Sequence, residues 1–180
     1  MDVFIALYRG INVGGKNIVK MEALRAFHEK LGHKDVKSYI QSGNMIFSAK
    51  GTSEAIAKKT ADEFEKTFGF PARIAVLDAK RLKTILDGNP YAKVAAEIPK
   101  TVHAGICEGD PDGAALKALL AKTKGTEKFV TGKGILYLHA PDGFGTSKFA
   151  LAMEKASGVP MTVRNWNTMA TLWEMINEKV

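Results

Sequence analysis

The chain has 180 residues, a net charge of +7 and a hydrophobic content of 46%, values typical of a globular protein. Its longest apolar runs are far too short to cross a bilayer. It opens without a basic-then-apolar leader, so we expect neither a membrane span nor a secretion signal. The single cysteine, Cys107, cannot form an internal disulfide. That favours a reduced, cytoplasmic setting and a buried structural thiol.

The positive charge is concentrated in the first half of the sequence. Residues 1–95 carry 16 Lys/Arg and 10 Asp/Glu, whereas residues 96–180 carry 10 and 9. A basic first half suggests an anionic partner, either a phosphorylated small molecule or a nucleic acid. The simpler interpretation, which we place first, is a lysine-rich solubilising surface.

Apolar periodicity predicts the element order β-α-β-β-α-β for residues 1–78. The predicted strands cover residues 3–8, 36–41, 44–48 and 73–77. The predicted helices cover residues 21–31 and 53–68, and each ends at a glycine, Gly32 or Gly69. A tight hairpin is expected at Ser42-Gly43. This order is that of the ferredoxin-like, split βαβ arrangement.

The same order recurs in residues 100–180, after a connecting helix capped by Asp78 and a linker over residues 91–99. Strands are predicted over residues 101–107, 127–131, 134–139 and 161–163, with a hairpin at Gly132-Lys133. Asp110-Pro111 predicts the start of the first helix of this half, residues 149–156 form its second, and a final apolar-faced helix follows. The predicted fold is therefore α+β: two ferredoxin-like halves, a tandem duplication, divided as residues 1–78, 79–99 and 100–180.

This topology brings two polar, glycine-bearing segments together. The loop leaving strand one and the turn between strands two and three lie at one end of such a sheet, so we expect them to form a ligand site. Cations and glycine amides would bind an anion there, and Gln41 and Asn44 would orient it. The alternative is that Gly43 only forms the turn and Gln41 and Asn44 only cap strand ends. The candidate residues are Arg9, Gly10, Asn12, Gly14, Gly15, Lys16, Asn17, Gln41, Ser42 and Asn44.

The loop nearly matches the phosphate loop of nucleoside triphosphatases. Gly10, Gly15 and Lys16 have the right spacing, but Asn17 replaces the hydroxyl residue that would bind magnesium. The predicted hairpins also require an antiparallel sheet, whereas that enzyme fold needs a parallel one. These differences argue against hydrolysis and leave phosphate binding open.

The first strand is apolar on both faces, with Phe4, Ala6 and Tyr8 on one of them. Helices cover one face of such a sheet, so the aromatic face is expected to meet the second sheet, another subunit or stacked bases. Nucleic-acid binding through this face, and a homodimer or protein-interaction role, therefore stand as alternatives to small-ligand binding.

A polar segment before the final helix contains Arg164, Asn165 and Trp166. The simpler interpretation is that Asn165, Asn167 or Thr168 is the cap of that helix and that the indole is a partly buried core aromatic. The alternative is that Arg164 supplies a second arginine to the anion site. The histidines show no metal-ligand spacing, so we expect no metal or cofactor site.

Three separate motifs resemble those of the bacterial domain-of-unknown-function family 1697. The resemblance implies a bacterial α+β protein with paired ferredoxin-like halves, and it brings no reaction, substrate or cofactor. It adds weight to Arg9, Asn12, Lys16, Gln41, Asn44, Arg164 and Trp166. The matching stretches are Arg9-Gly10-Ile11-Asn12-Val13-Gly14-Gly15 with Met21-x-x-Leu24-Arg25, Tyr39-Ile40-Gln41-Ser42-Gly43-Asn44, and Thr162-x-Arg164-Asn165-Trp166-x-Thr168.

From the sequence we therefore expect a cytoplasmic protein that holds a small phosphate- or carboxylate-bearing ligand at the strand-end rim. The sequence leaves open whether it is an enzyme, since no nucleophile triad or acid/base pair is recognisable.

Overall fold

In a computed structural model, which describes residues 1–178, the chain forms two four-stranded antiparallel sheets. The α+β class and the two ferredoxin-like halves are confirmed. The chain divides into two units, one of residues 1–83 with the described residues from Leu172 onward, the other of residues 84–171. Within this described part, no helix is long and apolar enough to span a membrane.

The first unit has the sheet order β2-β3-β1-β4. Thr52 caps α2 by accepting a hydrogen bond from the Ala55 N–H, and Gly69 ends it at φ 80°. Asp78 caps α3 as predicted, accepting from the Arg81 N–H at 2.6 Å. The elements are β1 (Asp2–Arg9), α1 (Met21–Lys30), β2 (Lys34–Tyr39), β3 (Asn44–Ala49), α2 (Ser53–Phe68), β4 (Arg73–Asp78) and α3 (Ala79–Asp87).

The second sheet repeats that topology in the order β6-β7-β5-β8. Its core contains Leu116, Leu136, Leu138, Phe149 and Met153. The elements after α3 are α4 (Ala92–Glu97), a 3-10 turn (Pro99–Thr101), β5 (Val102–Cys107), α5 (Gly113–Thr123), β6 (Lys128–Gly132), β7 (Ile135–His139), α6 (Lys148–Ser157), β8 (Met161–Asn165) and α7 (Trp166–Asn177).

Three local predictions in the second half are wrong. Residues 91–99 are not a linker, because α4 and the 3-10 turn occupy them. The helix α5 is capped by Asp112, which accepts from the Ala115 N–H, while Asp110 instead accepts from the Gly134 N–H at 2.9 Å. The hairpin turn lies one residue later than predicted, since Gly132 pairs with Ile135.

The hairpin between β2 and β3 also differs from the prediction. Tyr39 pairs with Asn44, so the turn has four residues, 40–43, rather than two. Gly43 has φ 82° and Ile40 has φ 49°. A β-branched residue rarely adopts this left-handed conformation, which is why the sequence alone favours a longer β2.

The prediction that helices leave the aromatic face of β1 open is wrong. Phe4 and Tyr8 are 3% and 1% exposed and belong to a core with Phe27 of α1 and Phe64 of α2. The Tyr8 and Phe64 rings lie 5.4 Å apart. Because the helices pack on the face that carries the aromatic rings, these rings offer no stacking platform for bases.

Gly43 is a point where the fold leaves no room for a side chain. A Cβ there would lie 2.6 Å from Ile11 Cδ1 and 2.7 Å from Tyr8 Cβ, at φ +82°. We expect Gly43→Ala to destabilise the protein by about 2–5 kcal/mol, the left-handed penalty plus overpacking. The matched control is Gly14→Ala, where φ is +58° but nothing lies within 4 Å, so only about 1 kcal/mol is expected. Urea unfolding midpoints measure both, and equal midpoints would contradict the packing argument.

Candidate functional site

The loop after β1 is a small, internally bonded hairpin. Gly10, Asn12, Gly14, Gly15 and Asn17 all have positive φ, between 53° and 85°. The Lys16 N–H donates to Val13 O at 3.0 Å, and the Asn12 N–H donates to Asn17 O at 3.0 Å. Two adjacent glycines at positive φ between bonded ends are typical of a type I′ turn. The loop is therefore held in one conformation by its own backbone.

The Asn12 side chain closes this loop and joins it to the β2–β3 turn. Its Oδ1 accepts from the Val19 N–H at 2.7 Å, and its Nδ2 donates to Val19 O at 2.9 Å. The same Nδ2 donates to Gln41 O at 2.8 Å. The predicted adjacency of residues 9–17 and 41–44 is confirmed by this last bond.

The loop differs from a phosphate loop in its connection to the next helix. The helix α1 begins only at Met21, beyond an extended stretch, so its N-terminus does not continue directly from the glycines. The amides available to a ligand are instead those at the tip. The Gly14 and Gly15 N–H groups have no hydrogen-bond partner among residues 1–178.

The end of the first sheet that carries this loop is strongly basic. We call it the loop rim, and it comprises residues 9–20, 40–43 and 70–73. These segments contain four basic residues and no acidic one, the next acidic residue being Glu22 in the first turn of α1. Arg9 and Arg73 lie directly opposite each other in the β1–β4 register. Like charges at such a position repel, so the rim favours an anion.

The loop rim also exposes apolar side chains. Val13, Ile18 and Ile40 are 65%, 63% and 51% exposed. Each is the chain neighbour of a residue joined by the Asn12 side-chain bonds, so the backbones of all three lie near the junction of loop and turn. Ile40 at φ 49° costs about 1–2 kcal/mol in backbone strain. Strain of this kind is concentrated at functional sites.

Other candidate residues of the first unit have structural partners. Asn44 is fully buried, and its Nδ2 donates to Tyr39 O at 2.9 Å and to Ser42 Oγ at 3.0 Å, which fixes the turn. Asn17 Nδ2 donates to Gly10 O at 3.0 Å. Gln41 and Lys16 are exposed on the loop rim.

The remaining three candidates lie in the second unit. Arg164, at the end of β8, donates from Nη1 to Val163 O at 3.0 Å, and burial lowers its pKa to about 10. Asn165 Oδ1 accepts from the Thr168 N–H at 3.0 Å, so Asn165 is the cap among the three residues that the sequence allows. The half-buried Trp166 begins α7, with its ring 6.5 Å from that of Tyr137.

Sequence reasoning missed a buried polar chain in the first unit. The Tyr8 hydroxyl lies 2.8 Å from His28 Nε2, and His28 Nδ1 lies 2.9 Å from His33 Nδ1. Burial, then the His33 charge, lowers the pKa of His28 to about 3. Burial, then Lys59, lowers the pKa of His33 to about 4. The available signal was the placement of His28 four residues after Leu24, on the buried face of α1.

Groups of histidine, cysteine and carboxylate side chains that could bind a metal ion do not occur among residues 1–178.

The chain is similar to a family of proteins of unknown function and, in fold, to a solved bacterial structure. A family model described as "Protein of unknown function (DUF1697)" matches residues 1–137. The solved structure of a conserved bacterial protein, SP0830 from Streptococcus pneumoniae, is similar with a TM-score of 0.67 and 23% identity over 98% of both chains. At that identity the likeness concerns the fold alone. No curated protein sequence matches the chain.

Replacing Asn12 tests its role as the link between loop and turn. Asn12→Asp keeps an acceptor for the Val19 N–H but turns a carboxylate toward two carbonyl oxygens. Asn12→Gly loses all three side-chain bonds, suits φ 53° and adds no charge. We expect Asn12→Asp to be less stable than Asn12→Gly by about 1–3 kcal/mol at pH 7, and to be cleaved faster by trypsin after Lys16 and Lys20. The reverse order in urea would contradict the assigned bonds.

Acid stability tests the buried histidines. Their folded pKa values of about 3 and about 4 lie below the unfolded value of 6.5. Between about pH 4 and 6.5 the unfolded chain therefore binds more protons, and stability falls as pH is lowered. We expect a shallower pH dependence of the unfolding midpoint in His28→Gln/His33→Gln. His103, whose pKa is also lowered to about 4, is present in both proteins and therefore contributes equally to the pH dependence of each. Superimposable profiles would contradict the burial of neutral imidazoles.

Proposed function

The chain belongs to the family of proteins of unknown function DUF1697, and we propose that its loop rim binds a small anionic ligand bearing a phosphate or carboxylate group. The observation that carries the proposal is a preformed glycine turn among four cations, with two amide donors at its tip.

The anionic group would be held at the turn. Lys16 directly follows the two glycines whose amides are open, and backbone N–H groups together with cations form the usual anion-binding concavity. A guanidinium has five donors, so Arg9 and Arg73 can each hold an existing partner and still contact a ligand. Because the Asn12 bonds fix the loop beforehand, little ordering entropy is lost on binding.

The exposed Val13, Ile18 and Ile40 suggest a ligand with an apolar part. These side chains cost free energy while they face water, and covering them adds affinity that an inorganic anion would lack. Phosphorylated or carboxylated organic molecules therefore fit the rim better than phosphate alone. Binding would take place in the reduced cytoplasm of a bacterium, as supported by the lone cysteine and by the bacterial source of the similar structure.

Nucleic-acid binding is the competing function, and the burial of Phe4 and Tyr8 weakens it. Without these rings a nucleic acid would contact the rim mainly through charge, and its affinity would fall steeply with salt.

A thermal-shift screen with nucleoside monophosphates, sugar phosphates and short carboxylates tests the proposal. We expect at least one class to raise the melting temperature, by a stabilisation approaching about 2.7 kcal/mol at a hundred times its Kd. The shift should vanish in Arg9→Gln/Lys16→Gln. The control Lys58→Gln/Lys66→Gln removes two charges from exposed positions of α2, 81% and 70% accessible, and should keep the shift.

Two results would contradict small-ligand binding at the rim. One is an equal thermal shift in both double variants, which would place binding elsewhere. The other is no shift with any small anion together with retention of a single-stranded oligonucleotide at low salt, which would favour the nucleic-acid function.

A further inference from the structure

A second concave site lies at the opposite end of the first sheet from the loop rim. It is a cavity of about 280 Å³ among the start of α2, the end of β3 and the segment before β2. That volume is close to the lower limit for small-molecule sites, about 300 Å³. Its charged or titratable side chains are His33, Lys50 and Lys59, and its apolar lining includes Leu31, Ala49 and Ile56. We call it the His33 cavity.

His33 is fixed in an orientation that presents one nitrogen to this cavity. Its side chain is 7% exposed, its ring stacks on Phe47 at 4.2 Å and 7°, and its Nδ1 is bonded to His28. The Nε2 atom has no hydrogen-bond partner among the described residues 1–178. His33 Nε2 is not one of the fully buried atoms that lack a partner, so it is accessible from the cavity, where a water or a ligand can bond to it.

The hydrogen bonds from Tyr8 through His28 to His33 determine whether His33 Nε2 is a donor or an acceptor. Burial raises the pKa of Tyr8, so its phenol keeps its proton. If Tyr8 O–H donates to His28 Nε2, then His28 Nδ1–H donates to His33 Nδ1, and His33 Nε2 carries a hydrogen toward the cavity. The opposite direction would leave a lone pair there. In the first arrangement His33 Nε2–H can donate to an anion, and the positive charges of Lys50 and Lys59 repel a metal ion or another positive ligand, so an anion is the ligand that fits the cavity.

Lys59 is held at the cavity by its own contact. Its Nζ donates to Leu31 O at 3.5 Å, the carbonyl just past the end of α1. Lys59 lines the cavity, and its positive charge helps to lower the pKa of His33, so an anion bonded to His33 Nε2 would lie in the field of this ammonium group.

We propose that the His33 cavity binds a small organic anion, whose acidic group is held by His33 Nε2–H, Lys50 and Lys59 and whose apolar part packs on Leu31, Ala49 and Ile56. The site is separate from the loop rim, so the two proposals succeed or fail independently.

The test is a titration of protein labelled with ¹⁵N and ¹³C in its histidines, with phenyl phosphate as the probe. The His33 imidazole resonances are followed by NMR and assigned with His33→Asn. We expect a saturable shift, with an apparent Kd at least about tenfold weaker in Lys50→Gln/Lys59→Gln, since charge-assisted hydrogen bonds are lost. The matched control Lys58→Gln/Lys66→Gln removes two lysines of α2 outside the cavity lining and should keep the wild-type Kd.

The rim variant Arg9→Gln/Lys16→Gln separates this proposal from the previous one. It should leave the His33 titration unchanged even where it abolishes binding at the loop rim. Absence of a saturable His33 shift, or an unchanged Kd in Lys50→Gln/Lys59→Gln, would overturn the proposal.

Discussion

The loop rim of the first unit depends on one amide side chain, that of Asn12. Its three hydrogen bonds reach both the end of its own loop and the neighbouring turn. On either side of the glycines, Ile11 and Val19 are each 2% exposed and anchor the loop in the core. Only between these anchors is the chain open to solvent. An exposed, glycine-rich and positively charged segment is thus held as firmly as a strand end, which is what a binding loop requires.

The second unit also joins the loop after its first strand to the following hairpin turn, but it does so through an acidic side chain. The Cys107 N–H donates to Gly134 O, as the Tyr8 N–H donates to Gly43 O in the first unit. A carboxylate then replaces the amide, since Asp110 accepts from the Gly134 N–H. The topology therefore needs a bond between this loop and this turn, but it needs neither basic residues nor a glycine hairpin. The topology therefore does not explain the basic residues and the glycine hairpin of the first unit, whereas the proposed ligand binding would.

Sequence patterns predict the parts of this fold that local chemistry determines. Periodicity and terminal glycines give the element order, and the order alone brings the Asn12 loop to the Gln41 turn. The face covered by helices was not predictable, because apolar residues occupy both sides of β1. Ile40 adopts a backbone conformation that its own side chain opposes, so the four-residue turn had no local signal. Tyr91, which precedes α4, makes no capping hydrogen bond through its side chain; its N–H donates to Asn89 Oδ1, and from sequence the Asn89-Pro90 pair indicates the end of the preceding helix rather than the start of a new one.

The polar chain formed by Tyr8, His28 and His33 runs through the core from the loop rim to the His33 cavity. Burying a hydroxyl and two imidazoles is costly unless each finds a partner, and a wholly apolar set of side chains would fill the same space. Tyr8 contributes the hydroxyl group at one end of the polar chain, and its backbone N–H donates to Gly43 O at the loop rim. His33, at the other end, is the member that reaches a cavity. Because Tyr8, His28 and His33 bond to one another, their burial is largely compensated, and the ligand that we propose at the cavity lined by two lysines would account for a polar chain where apolar side chains would also pack.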